Sequence, residues 1–302
     1  MMDIAELNDR FGIGNQLAFV SGPGELIQAV VDSPKAQATI STYAGQVLSF
    51  QPASAQEDLL FVSEKAYRQA GKAIKGGIPI CWPWFGSDPN GKGGPGHGMA
   101  RASQWQVTGS QQLDNGDIEL RLGFAIEPGD YEYWSAPLSL ELVVTVGEAL
   151  SLAMLTTNNS DSAVQLTQGF HTYFAVGDIA NVAVDGLDGV NYIDKLNDSA
   201  EVTQSGSVSI TGEADRIYHG KIGELTIDDS SLARRIHIQQ EGSASAVVWN
   251  PWVDTAKAMA DLDDQDYQRF ICVETVNAGP DVVPVPAGGQ TRLAVSYRIE
   301  SR

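Results

Sequence analysis

Apolar residues recur at every second position through several stretches of this chain. Ile118, Leu120, Leu122, Phe124 and Ile126 share one face of "DIELRLGFAI", and Leu138, Leu140, Leu142, Val144 and Val146 share one face of "LSLELVVTV". Leu150, Leu152 and Met154 follow in "LSLAML", and the pairs Leu225/Ile227 and Ile236/Ile238 repeat the pattern. Alternate side chains of an extended strand point to opposite sides, so each stretch predicts a strand with one buried face. Polar turn signals punctuate them: "DNGD" at 114–117, "VGEA" at 146–149, "NNSDS" at 158–162 and "IDDSS" at 227–231.

Many short strands joined by such turns predict an all-β chain, a large antiparallel β-sandwich with a few short helices. Helical signal is confined to "DIAELNDRF" near the start and "DDQDYQRF" at 263–270, each long enough for about two turns. "SDPNGKGGPGHG" at 87–98 is rich in glycine and proline, but it interrupts an aromatic segment instead of joining two compositions. It predicts a surface loop inside a single domain covering 1–302, a length that β-rich domains reach.

Composition narrows the function classes. The chain has 302 residues and a formal net charge of −19, which argues against nucleic acid and anionic membranes as partners. No apolar run has the length of a membrane helix, and the acidic start "MMDIAELNDRFGIG" lacks the basic region and apolar core of a signal peptide. A cytoplasmic monomer is the expectation. Two cysteines, Cys81 and Cys272, build neither a disulfide framework nor a zinc site, and both sit among apolar residues as small buried side chains would.

Candidate chemistry lies where the strand pattern breaks. "KGGIPICWPWFG" at 75–86 has neither a helical nor a strand period, and it concentrates aromatics among glycines and prolines. "GHGMAR" at 96–101, "GFHTYFAVGD" at 169–178, "EADRIYHG" at 213–220 and the segment 247–275 complete the set. Of four histidines, His237 alternates with Ile236 and Ile238 and reads as a sheet-surface residue, and His219 reads as a turn residue. His171 lies among Phe170, Tyr173 and Phe174, and His97 stands between two glycines that allow close backbone approach to a ligand. Glu274 sits inside the apolar run "FICVETV" on the face of Cys272, where burial raises a carboxyl toward useful base strength. Asp215 precedes Arg216, so a local ion pair competes with a role in binding. A histidine and a carboxylate in one aromatic pocket can perform acid–base chemistry, and aromatics with convergent polar groups also suit a sugar ring.

At these segments the chain resembles the hexose-6-phosphate mutarotases (glucose-6-phosphate 1-epimerases) of the galactose mutarotase-like, or aldose 1-epimerase, superfamily. "IKGGIPICWPWFG", "HGMAR", "GFHTYF", "DRIY", "VVWNPW" and "CVE" follow that family's order across residues 74 to 274. The resemblance implies a β-sandwich carrying the sugar on a concave sheet and an isomerase that needs no cofactor and no metal. In its terms His171 would be the general acid and Glu274 the general base, with His97 touching the ring, Arg101 and Lys75 binding the phosphate, and Asp215 holding hydroxyls. Lys75 stands where the family commonly has arginine, and Gly96 where some members have glutamine. Three rivals remain open, one of them an inactive paralogue with a regulatory role. A carbohydrate-binding sandwich without turnover would show Glu274 hydrogen-bonded away from the pocket, and a mutarotase for neutral aldoses would point Lys75 and Arg101 away from it.

Overall fold

The computed structural model describes residues 2–302. The period-two stretches form the strands Ile118–Ile126, Leu138–Val146, Leu150–Asn158, Leu225–Asp229 and Arg234–Glu241. Along Leu138–Val146 and Leu150–Asn158 the odd-even alternation of burial is complete, as a sheet with one covered face requires. Together with Val182–Asp185, Gln290–Ser301 and Gln106–Gln112 they make an eight-stranded antiparallel back sheet. The front sheet runs in the order Ala200–Thr203, Asn191–Asp194, Ala214–His219, Ser245–Asn250, Phe270–Asn277, Gln168–Phe170, Ile80–Cys81. Tyr173–Ala175 also pairs with Phe270–Asn277. A four-stranded antiparallel meander, Leu17–Ser21 through Gln46–Pro52, stands beside them.

The two large sheets bury one apolar cluster between them. From the front sheet Ile271, Val273, Val248 and Tyr218 enter it, and from the back sheet Leu142, Leu152, Leu293 and Val295 do. Polar links also cross the gap: Trp82 donates its indole N–H to Thr156 Oγ1 at 2.9 Å, and the Thr172 and Tyr297 hydroxyls meet at 2.7 Å. The segment "KGGIPICWPWFG" therefore does two jobs. Trp82 and Trp84 are fully buried, while Phe85 and Lys75 reach the front sheet's outer side. Gly76 and Gly77 have φ of 110° and 61°, and a Cβ on either would fall 2.4 or 2.3 Å from the Phe61 or Val47 carbonyl oxygen. Only glycine fits there.

Several local expectations are corrected. The helix Ile4–Phe11 forms as expected, capped by Asp3 and Glu6 reciprocally. At 263–270 there is only a 3-10 turn, Asp266–Gln268, because Asp266 accepts the Asp263 N–H and the Ser63 hydroxyl and so stabilises a turn over a helix. The second α-helix is instead Trp252–Ala258. "IDDSS" continues as strand to Asp229 before turning. His219 ends the strand Ala214–His219 and is not a turn residue. Arg216 lies over the Tyr192 ring at 5.1 Å, leaving Asp215 free of it. His237 is the surface residue expected, between Glu224 and Glu300. Among the described residues, no helix is long and apolar enough to cross a membrane.

Candidate active site

Period two carries polar groups outward from the front sheet. On Phe270–Asn277 the core takes Ile271 and Val273, so Cys272 and Glu274 face the other way. Val247 is opposite Glu274 and Trp249 opposite Cys272 on the next strand, and Asp215 is opposite Trp249 on the strand beyond. A cavity of about 460 Å³ lies over this face. Lys75, His97, Arg101, His171, Asp215 and Glu274 all line it, although 199 positions separate the first from the last (274 − 75).

His171 reaches the cavity from the break between the strands Gln168–Phe170 and Tyr173–Ala175. Its backbone N–H donates to the Pro79 carbonyl at 3.0 Å, and its ring stacks on Tyr173 at 4.9 Å with the Trp249 ring edge-on at 5.8 Å. His171 Nδ1 approaches Glu274 Oε1 to 3.4 Å without hydrogen-bond geometry. The two residues are 8% and 2% exposed, yet Nδ1 of the first and Oε2 of the second have no hydrogen-bond partner. A buried polar atom left without a partner costs on the order of 1–3 kcal/mol.

Burial dominates the electrostatics of the pair. It drives the Glu274 carboxyl well above its ordinary range, helped by Asp215 and opposed by Arg101. Burial likewise drives His171 well below the ordinary histidine value, helped by His97, Arg101 and Lys75. The protein's own groups thus favour a neutral imidazole beside a protonated carboxyl. Cys272 presents its sulfur within 4.8 Å of the His171 and Glu274 ligand-type atoms. Burial pushes that thiol well up, so it packs against its neighbours as a protonated side chain.

His97 has a left-handed φ of 64°, and Gly98 beside it closes on the Trp82 carbonyl, where a Cβ would lie 2.1 Å away. His97 Nδ1 accepts the Gly86 N–H at 3.4 Å, which leaves Nε2–H as its donor. Burial, with Arg101, Lys75 and Lys195 nearby, pushes His97 down to about 3. Its ring resonances are therefore expected to stay flat from pH 8 to pH 5 in an NMR titration. A midpoint near the ordinary value of about 6.5 would refute the neutral-donor assignment.

The cations come from three places. Arg101 sits in the short turn Ala100–Ala102 and donates Nη2–H to the Gly96 carbonyl at 2.8 Å. The glycine at 96 thus holds the arginine through backbone alone. Lys75 Nζ is 3.6 Å from Asp261 Oδ1 and 3.7 Å from the Met259 sulfur. Lys195, in the turn after Asn191–Asp194, lines the cavity near Asp215. Burial raises the Asp215 carboxyl, and Lys195 partly offsets that.

Sequence reasoning did not find Lys195, Asp261 or Met259. Lys195 is one charged residue in a polar turn, and Asp261 one of several aspartates within six residues. Nothing in their local pattern marks them. Trp249 is half-buried on the cavity wall, on the face opposite its buried neighbour Val248.

The sequence model of the aldose 1-epimerase family matches residues 28–298. A Salmonella typhimurium protein that carries the provisional name glucose-6-phosphate 1-epimerase is 34% identical over 250 residues, 82% of each chain. An Escherichia coli protein of the same provisional name is 33% identical over 279 residues, 92% of each chain. The crystal structure of a Salmonella typhimurium protein provisionally named a mutarotase superposes with a TM-score of 0.87 at 30% identity, covering 97% of this chain and 96% of that one.

Proposed function

The chain belongs to the aldose 1-epimerase family, and we propose that it interconverts the α and β anomers of an aldohexose 6-phosphate in the cavity around His171 and Glu274. The observation that carries this reading is one cavity containing both the buried His171/Glu274 pair and three cations, Lys75, Arg101 and Lys195. Their chain bears a net charge of −19, so such a cluster has a local purpose. The provisional names of the relatives agree with a 6-phosphate substrate. Glu274 is turned toward the pocket and its Oε2 is unpaired, which disfavours a binding module without turnover. Lys75 and Arg101 both line the cavity, which disfavours a site built for neutral sugars.

The chemistry proposed is ring opening and reclosure. Ionised Glu274 takes the proton of the anomeric hydroxyl, and the O1–H electrons form the C1=O1 bond. The C1–O5 bond breaks, and O5 takes its proton from His171. Rotation about C1–C2 presents the other carbonyl face, and closure reverses both transfers. The open-chain stage leaves Glu274 protonated and His171 neutral, the form that burial favours here. Starting on the cyclic sugar needs the opposite placement. A dianionic phosphate would favour the imidazolium, and sugar hydroxyls donating to Oε2 would favour the carboxylate. His97 Nε2–H and Asp215 are left to orient the sugar hydroxyls. We also propose a single domain, because both large sheets close on one buried cluster.

Magnetisation-exchange NMR on equilibrated glucose 6-phosphate, with glucose as control, tests the reading. Accelerated α/β exchange of the phosphate alone is the expected result. Equal acceleration of both sugars would keep the pair and remove the phosphate specificity, and acceleration of neither would remove the activity.

A further inference from the structure

Behind the cationic pocket, against one of the cations that line it, stands an acid that the acid–base scheme does not use. Asp261 Oδ1 lies 3.6 Å from Lys75 Nζ, and the two side chains are 19% and 18% exposed. Neither partner is loosely held. The Lys75 carbonyl accepts the Ser63 N–H at 3.1 Å, and Gln46 Nε2 donates to the flanking Ile74 and Gly76 carbonyls. Asp261 stands between Met259, whose N–H closes the helix Trp252–Ala258 onto the Ala256 carbonyl, and Leu262. Leu262 is 1% exposed in a cluster with Phe61, Tyr173 and Phe270. The ammonium is thus held between a carboxylate and a thioether of its own chain.

We propose that Asp261 is an internal competitor for the substrate's phosphate: it partners the Lys75 ammonium and yields it when the phosphate docks, so that it sets how tightly the site holds a 6-phosphate. This rests on the phosphate reading above. Two effects oppose each other. Burial pushes the Lys75 amine down, and Asp261 pushes back, which would help an anion bind. A bound dianion, however, brings twice the charge of Asp261 and sustains the ammonium by itself. In that complex Asp261 is only a like charge a few ångströms away, and repulsion decides the sign. Such a counterweight has a use. Phosphate binding far from C1 is equally strong in ground and transition states, so excess tightness lowers KM without raising kcat.

Calorimetric titration with inorganic phosphate provides the test, on wild type, Asp261→Asn, Lys75→Met and the double variant. Asp261→Asn is expected to tighten phosphate roughly three- to tenfold. In the Lys75→Met background the same change is expected to shift affinity by less than about twofold, since the contested ammonium is gone. Asp261→Ser should match Asn, and near-UV circular dichroism confirms that each variant keeps its packing. Weaker or unaltered binding by Asp261→Asn would overturn the proposal, leaving Asp261 as a prop for Lys75. Undiminished tightening in the Lys75→Met background would overturn competition for the ammonium. Failure of wild type to bind phosphate at all would instead bring down the phosphate reading on which it stands.

Discussion

Glu274→Gln is expected to lower kcat for anomer exchange by on the order of 10²–10⁴-fold while the protein stays folded. The amide fills the same volume but cannot take the anomeric proton. Little structural support is lost, since Oε2 has no partner and Oε1 only approaches His171. Replacing a buried ionisable group by a neutral one removes a desolvation cost, so thermal stability should hold or rise. His171→Asn is expected to show a loss of the same order. Steady-state exchange rates and calorimetric melting, measured together, separate chemistry from folding. Near-wild-type turnover in either variant would remove that residue from the chemistry.

The pH dependence follows from the direction of the two shifts. The competent pair holds one proton. Burial makes the second proton hard to add, because it must charge a His171 already pushed down by burial, His97, Arg101 and Lys75. Burial also makes the first hard to remove, because it resides on a Glu274 pushed up by burial and Asp215. The rate profile should therefore be a plateau bounded by two limbs. Its acid limb should fall below the ordinary histidine value of about 6.5, and its alkaline limb well above the ordinary glutamate value of about 4.3. In Glu274→Gln the surviving rate should rise as pH falls, because only protonation of His171 then supplies an acid. A residual rate that rises with pH instead would assign the base role elsewhere.

What was legible in the sequence was whatever a period or a motif could express. Alternation along 138–146 placed that strand to the residue, and along 150–155 it marked a strand that runs on to Asn158, because a half-buried sheet leaves no other pattern. His171 and Glu274 stood out as polar residues inside apolar runs, and the cavity does bring them together. The helix Trp252–Ala258 was hidden, since seven residues following Pro251 without a side-chain cap carry little helical signal. The aspartates at 263–266 looked helical but bond to neighbouring backbone and side chains instead. Lys195 became visible only when distant chain segments closed on one cavity, and Asp261 only beside Lys75, which lines it. Their meaning is a matter of distance, which no spacing along the chain encodes.

Arg101→Met is expected to lower kcat/KM for glucose 6-phosphate by about 10²-fold or more, with a much smaller loss toward glucose. The reason lies in how the three cations are committed. Lys75 already shares its charge with Asp261, and Lys195 is an exposed side chain on a turn. Arg101 is held by the Gly96 carbonyl through Nη2, so the rest of its rigid fork is aimed without cost to its own mobility. A charged hydrogen bond to phosphate contributes roughly 1.5–3 kcal/mol, and a bidentate one more, which sets the size of the loss. Methionine keeps the stem's packing and removes only the charge and donors. A second effect should accompany the first. Arg101 opposes the rise of the Glu274 carboxyl, so its removal should move the alkaline limb further up. The pair of readouts separates this arginine from a merely structural one: a packing defect would lower turnover of both sugars alike and leave the pH limbs where they were.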